Sequence, residues 1–201
     1  MGKWISEGWE VFKKNAGISI LYTFIVFACM WAISGIAKGN EFIDSALTII
    51  LAPPLMAGFF IMGIKSIRGE ETSFATLFEG FKVWINLIIL NLLQSIFVVV
   101  GLILLIIPGV YLSVGYAFSI PILIDKKTAI LQALEMSRKT VHPIWFKMFG
   151  FFLLLGLINI GGLIAMAIGL LVTVPTCIYA ISSAYIDIFT DQTGELNAKT
   201  E

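Results

Sequence analysis

The chain has 201 residues, of which 59% are hydrophobic and 13% charged, and its thirteen Lys and Arg balance thirteen Asp and Glu. Soluble domains carry about 25% charged residues, so this composition excludes an ordinary water-soluble globule. A formal net charge of zero supplies no field that would gather nucleic acid, and no nucleic-acid partner is expected.

In residues 1–14, Trp4, Ile5, Trp9 and Phe12 alternate with Glu7, Glu10, Lys13 and Lys14 at helical spacing. That pattern predicts an amphipathic helix lying in the headgroup plane. Residues 16–36 form an apolar run, longer than a signal-peptide core, and read as a retained first span. Lys38, Gly39, Asn40, Glu41 and Asp44 supply a polar turn, and residues 42–64 return. From Ser73 to Lys82, the residues Phe74, Leu77, Phe78 and Phe81 follow i, i+3, i+4, i+7 spacing, one apolar stripe on an α-helix.

The second apolar block covers residues 83–124, and its turn has two placements. Either Pro108-Gly109 is the turn and Pro108 opens the return helix, or Gly101 turns the chain and Pro108 kinks it. A third amphipathic segment at 127–140 carries Ile130, Leu131, Leu134, Ser137 and Arg138. The last apolar block, 144–189, precedes a short tail at 191–201. Membrane seating is the commoner use of such amphipathic helices, docking of a cytoplasmic partner the alternative.

Of the thirteen basic residues, all but Lys38 fall in the N-terminal segment, two alternate connections and the C-terminal tail. By the positive-inside rule these segments are cytoplasmic, as are both termini. Each apolar block opens on an aromatic and a lysine (Trp9 to Lys13, Phe81-Lys82, Phe146-Lys147) and later contains a proline, Pro54, Pro108 or Pro175. The expected fold is therefore all-α: a polytopic transmembrane bundle of about six helices in three hairpins, each preceded by a short cytoplasmic amphipathic helix. It forms one integral domain over 1–190, in a bacterial inner membrane, as an internal repeat. The prolines, whether at hairpin turns or kinks, should be buried, because freed backbone groups need protein or water around them.

Few polar groups interrupt the spans. Asn91, Gln94 and Ser95 share one side of the third span and Asn159 lies in the fifth. They line a cavity or make interhelical hydrogen bonds. Asp125 and Asp187 close the fourth and sixth spans, as interfacial acids or, for Asp187, as a proton relay. Gly161, Ala165 and Gly169, and Thr176, Ala180 and Ala184, recur at four-residue spacing, which serves packing within one chain or a homo-oligomer. Cys29 and Cys177 sit in apolar runs and read as small hydrophobes. His142 is the sole histidine, with no ligand-spaced partner. No nucleophile elbow, phosphate loop or metalloprotease motif occurs, so neither enzymatic activity, a cofactor nor a metal site is expected.

The run from Gly101 through Pro108-Gly109 to Tyr111, followed by Tyr116-Ala117-Phe118, Pro121, Asp125, Ala133-Leu134, Ser137 and Trp145-Phe146-Lys147, resembles a known pattern. It is similar to the membrane domain of some bacterial glycerophosphodiester phosphodiesterases and of related stand-alone bacterial membrane proteins. The resemblance covers residues 74–189. In that family hydrolysis belongs to a separate soluble barrel, for which this chain has no room, so the resemblance implies the membrane companion and no catalytic residue. The expected role is a membrane scaffold or lipid-interacting module, with membrane lipids and a membrane or cytoplasmic protein as partners; the alternative is a small-solute or lipid transporter. Asn40→Cys is expected to react with an impermeant thiol reagent from outside the cell and Glu70→Cys only from inside; the reverse labelling pattern would overturn the orientation.

Overall fold

The computed structural model describes residues 1–165 and 168–198, with side chains described through Phe189. Every regular element among them is helical: α1 (Gly2–Lys14), α2 (Ala16–Ala37), α3 (Glu41–Ile67), a 3-10 helix at Phe74–Val83, α4 (Trp84–Leu104), α5 (Ile106–Gly115), α6 (Ser119–Lys126), α7 (Ile130–Val141), a 3-10 turn at His142–Ile144, α8 (Trp145–Ile164) and α9 (Leu170–Ala198). Six segments are long and apolar enough to cross a membrane, as the sequence implies. α9 runs on as far as Ala198, into the tail expected at 191–201, whose side chains lie, with residues 199–201, outside the described residues.

Burial alternates along the chain. In the most apolar stretch of the second, fourth and sixth spans, 56, 50 and 56% of residues are buried, against 22, 17 and 22% in the first, third and fifth. The even-numbered spans thus make the inner layer. The odd-numbered ones present Phe24, Trp31, Ile96 and Leu153 outward, where lipid tails cover them without a hydrophobic penalty.

Each odd-numbered span begins at a backbone hinge of the same conformation. Asn15 has φ −117° and ψ 21°, Val83 has −124° and 24°, and Ile144 has −114° and 19°. Before each hinge lies a short helical arm: α1, the 3-10 helix, and α7 with its 3-10 turn. The hinges show that the aromatic–lysine pairs are not in register. Trp9 to Lys13 and Phe81-Lys82 precede their hinges, whereas Phe146-Lys147 follows Ile144.

The arms dock in a cycle. The 3-10 arm packs on α3, α7 packs on α5 and α6, and α1 packs on α9, so the first arm closes the ring on the last helix. Small residues permit the approach of the first two arms. A Cβ at Gly8 would stand 2.5 Å from the Ala180 nitrogen, and one at Gly58 would strike the Leu77 carbonyl oxygen. Trp4, Val11, Phe12, Leu77, Ala133 and Leu134 are consequently buried. The apolar stripes expected to seat in the headgroup plane are covered by neighbouring helices instead, leaving Trp9, Phe78 and Leu131 exposed.

The second arm is a 3-10 helix where an α-helix was expected. With three residues per turn, Phe74, Leu77 and Gly80 align on one edge, and Leu77 and Gly80 are buried on it. Phe78 falls on a neighbouring edge and stays 39% exposed. Ser73 and Thr76 close a capping box at its start.

The prolines divide into two kinds. Leu105 alone, extended at φ −164° and ψ 140°, separates α4 from α5, so Pro108 lies in the first turn of the return helix, where a missing N–H costs little. Gly101 is a packing residue rather than the turn: its added Cβ would lie 3.0 Å from the Gly109 Cα. Pro54 and Pro175 sit inside α3 and α9 and are buried, while Pro108 is half-buried. Leu105, Ile106 and Ile107 are highly exposed, so this proline region departs from the expected burial. Of the small-residue runs, Gly161 meets nothing within 4 Å, and its neighbour Gly162 makes the close contact with Gly169. Ala180 and Ala184 are fully buried within the bundle.

Gly58→Ala is expected to destabilise the bundle by about 1–3 kcal/mol through overpacking. Gly156→Ala, with nothing within 4 Å of its Cβ, is expected to leave the thermal midpoint in detergent unchanged or slightly raised; equal losses in both would contradict the docking of arm on helix.

Candidate functional site at the basic end

The inner helices converge where α3 and α6 end. α3 stops in a Schellman motif: Gly69, at φ +76°, donates to the Ser66 carbonyl at 3.2 Å, and Glu70 donates to the Lys65 carbonyl at 2.9 Å. This turn places Lys65 in the last helical turn, where a cation suits the helix dipole, and Arg68 just beyond it. Asp125 stands in the last turn of α6, which Lys127 closes in the left-handed conformation at φ 50°.

A single carboxylate joins the three inner spans. Arg68 Nη1 and Nη2 donate to Asp125 Oδ1 and Oδ2 at 2.5 and 2.8 Å, and the Tyr185 hydroxyl of α9 donates to Oδ2 at 2.8 Å. The Asp125 side chain is only 14% exposed, so its charge is compensated by a fork-shaped partner. The hydrogen bond to Asp125 raises Arg68 above its ordinary value, with burial opposing it. Beside this junction, Lys65 Nζ donates to both Glu79 oxygens at 3.0 Å, tying α3 to the 3-10 arm.

A cleft of about 370 Å³ opens over these pairs. Its charged rim comprises Lys65, Arg68, Lys82 and Lys127 with Glu70, Glu79 and Asp125, and its apolar wall is Ile61, Ile64, Val83 and Ile124. Water-seeking and lipid-seeking surfaces therefore meet in one recess. A second cleft, of about 390 Å³, is lined by Tyr111, His142, Trp145 and Phe146 among others. There the Tyr111 hydroxyl and His142 Nδ1 lie 2.7 Å apart, and Trp145 Nε1 donates to the Tyr111 carbonyl.

At the junction of α1 and α9, Asp187 accepts from Lys3 Nζ at 2.7 Å and from Trp4 Nε1 at 2.8 Å. Ser183 donates to Glu7, and Lys147 sits over the Trp4 ring at 4.7 Å. Asp125 and Asp187, singled out as interfacial acids, are thus placed in two separate helix-to-helix junctions. The intramembrane amides do not form one cluster of hydrogen bonds. Gln94 accepts from Ser119 at 2.8 Å, whereas Asn159 donates to the Leu155 carbonyl and to Cys177 Sγ. Asn91 is half-buried and Ser95 exposed. Asn159 Oδ1 and Thr173 Oγ1 are buried without a partner.

Sequence reasoning identified Asp125 but not Arg68, Glu79 or Tyr185 as its companions at this end. The signal available was weak: two basic residues just past one apolar block and an Ala184-Tyr185 pair near the end of another. Among the described residues no three His, Cys, Asp or Glu side chains gather as a metal site requires. No protein-family model, curated protein or solved structure matches the chain.

Asp125→Ala is expected to cost about 1–3 kcal/mol by leaving Arg68 without its acceptor, toward the lower end because the guanidinium is partly solvated. In a double-mutant cycle, Arg68→Ala should cost less in the Asp125→Ala background than in the wild type, with a coupling on the order of 1 kcal/mol. Strictly additive midpoints in detergent unfolding would show that the pair does not hold the inner helices.

Proposed function

We propose that this integral membrane protein is a non-catalytic, lipid-interacting scaffold module of the bacterial cytoplasmic membrane. The observation that carries the proposal is the recess at the basic end, where paired charges and an apolar wall share one cleft of about 370 Å³. Such a surface matches an amphiphile lying at the headgroup boundary, polar at one end and apolar along its length.

Three further features support the reading. Basic residues concentrate at this end of the spans, which favours a cytoplasmic placement. Lys3 bonds Asp187 near the other end of the chain, which favours both termini on that same side. Gln94 and Asn159 each hydrogen-bond a neighbouring helix, which favours a packing role over the lining of a solute path. The resemblance of residues 74–189 to the membrane domain of glycerophosphodiester phosphodiesterases points the same way, since the hydrolytic work of that family lies outside its membrane part.

Native mass spectrometry of the protein extracted within its own patch of membrane is expected to show a lipid retained in defined stoichiometry. Stripping that lipid should lower the thermal midpoint. A bare protein whose midpoint is indifferent to lipid would overturn the lipid-interacting reading.

A further inference from the structure

The cleft at the basic end holds more positive charge than its own carboxylates neutralise. Four cations line it: Lys65, Arg68, Lys82 and Lys127. Lys65 is bonded to Glu79 and Arg68 to Asp125. Among the described residues no ion pair engages Lys82 or Lys127. The remaining carboxylate on the rim is Glu70, also outside any such pair. Two ammonium groups and one carboxylate are thus left to face a ligand.

Position adds to charge. Lys82 sits in the last turn of the 3-10 arm, one residue before the Val83 hinge, and Lys127 closes α6 with a left-handed backbone. Both belong to backbone held by helices on either side, so the cations border a recess of defined shape rather than a flexible tail. Ile61, Ile64, Val83 and Ile124 supply the apolar wall against which an acyl chain can lie. A small soluble anion would leave this wall wet.

We infer that Lys82 and Lys127 bind the phosphate of an anionic phospholipid, with its apolar portion against the isoleucine and valine wall. This rests on the lipid-interacting reading and goes beyond it by assigning the headgroup charge and the residues that select it. The ammonium groups act as point charges with rotatable donors, a mode suited to a phosphate diester whose orientation is fixed by its chains. Lys65 and Arg68 keep their carboxylate partners and shape the rim.

The test uses the full chain reconstituted in bilayer discs of phosphatidylglycerol and phosphatidylcholine in equal amounts, with lipids retained after extraction identified by native mass spectrometry. Phosphatidylglycerol should be enriched at least five-fold over phosphatidylcholine in the wild type. Lys82→Gln/Lys127→Gln should abolish the enrichment, and Lys82→Arg/Lys127→Arg should keep it. Lys13→Gln/Lys139→Gln, at residues paired with Glu10 and Glu135 and not among those lining the cleft, serves as a charge-matched control that should also keep it.

Inorganic phosphate, added against chloride at equal ionic strength, should displace little lipid. Displacement with lysine-dependent binding of phosphate itself would overturn the lipid assignment and make the site one for a soluble phosphate. Retention of both lipids alike, or enrichment indifferent to the glutamine pair, would sink the assignment while leaving a lipid-interacting protein. If no lipid is retained, the broader reading fails as well. The arginine pair keeps the outcome decisive if the glutamine pair does not fold.

Discussion

Hydrocarbon cannot hydrogen-bond to a peptide group, and that constraint governs how this chain can bend. Each interruption of a helix frees backbone donors and acceptors that must find partners within the protein. At the break between α5 and α6, Ser137 of the third arm takes over, donating to the Gly115 carbonyl at 2.7 Å and accepting from the Phe118 N–H at 3.1 Å. Ser119 adds a bond to the Tyr116 carbonyl and another to Gln94. In the first unit the Tyr22 hydroxyl reaches the carbonyls of Leu55 and Leu77, linking α2, α3 and the 3-10 arm. Ser137, Ser119 and Tyr22 therefore serve backbone carbonyls in the interior, and docking an arm is what brings Ser137 to Gly115 and the Leu77 carbonyl to Tyr22.

Lipid tails are as apolar as leucine, so burying apolar surface drives little association between helices within the membrane; close packing and hydrogen bonds must supply it. The glycines and alanines that admit the arms answer this need. At Gly8 against Ala180 and at Gly58 against Leu77 the backbones approach so closely that one methyl group would obstruct them. Two of the three docked arms follow in sequence from the helix they pack against. The third joint, α1 on α9, links opposite ends of the chain, and there the hydrogen bonds of Lys3 and Trp4 to Asp187 and of Ser183 to Glu7 accumulate. A joint with no connecting loop gains nothing from chain continuity and needs more specific contacts to close.

Hydropathy and basic residues make the six spans legible because both respond to the membrane, an environment the whole chain shares. The first polar turn is legible for the same local reason: Asn40 accepts from the N–H groups of Phe42 and Ile43 and begins α3 where turn residues cluster. The turn at Leu105 was not, since it lies in an unbroken apolar run and is made by one extended residue flanked by packed glycines. The 3-10 arm is not distinguished from an α-helix by the sequence because the i, i+3 pairs Phe74/Leu77 and Phe78/Phe81 are neighbours in both, and the choice between them follows from contact with α3. The site at the basic end depends on pairs such as Arg68 and Asp125, 57 residues apart, and no local pattern encodes that distance. Asp125 stands out as an acid beside an apolar run, whereas Arg68 reads as an ordinary member of a basic connection and Tyr185 as one aromatic of an apolar block.

The same junction explains why the recess lies where it does. An inner layer of three spans leaves their basic ends to converge, and converging ends bring like charges of the positive-inside rule together. Pairing Arg68 with Asp125 and Lys65 with Glu79 relieves part of that repulsion and binds α3 to α6 and to the second arm. The relief is incomplete, because among the described residues no ion pair engages Lys82 or Lys127. Lys82 and Lys127, introduced by the hinge and by the end of α6, border the cleft between the elements that the ion pairs join. Residual positive charge at this end is thus a consequence of topology and packing together: the connections that carry the basic residues are the ones that the inner spans bring to one cleft.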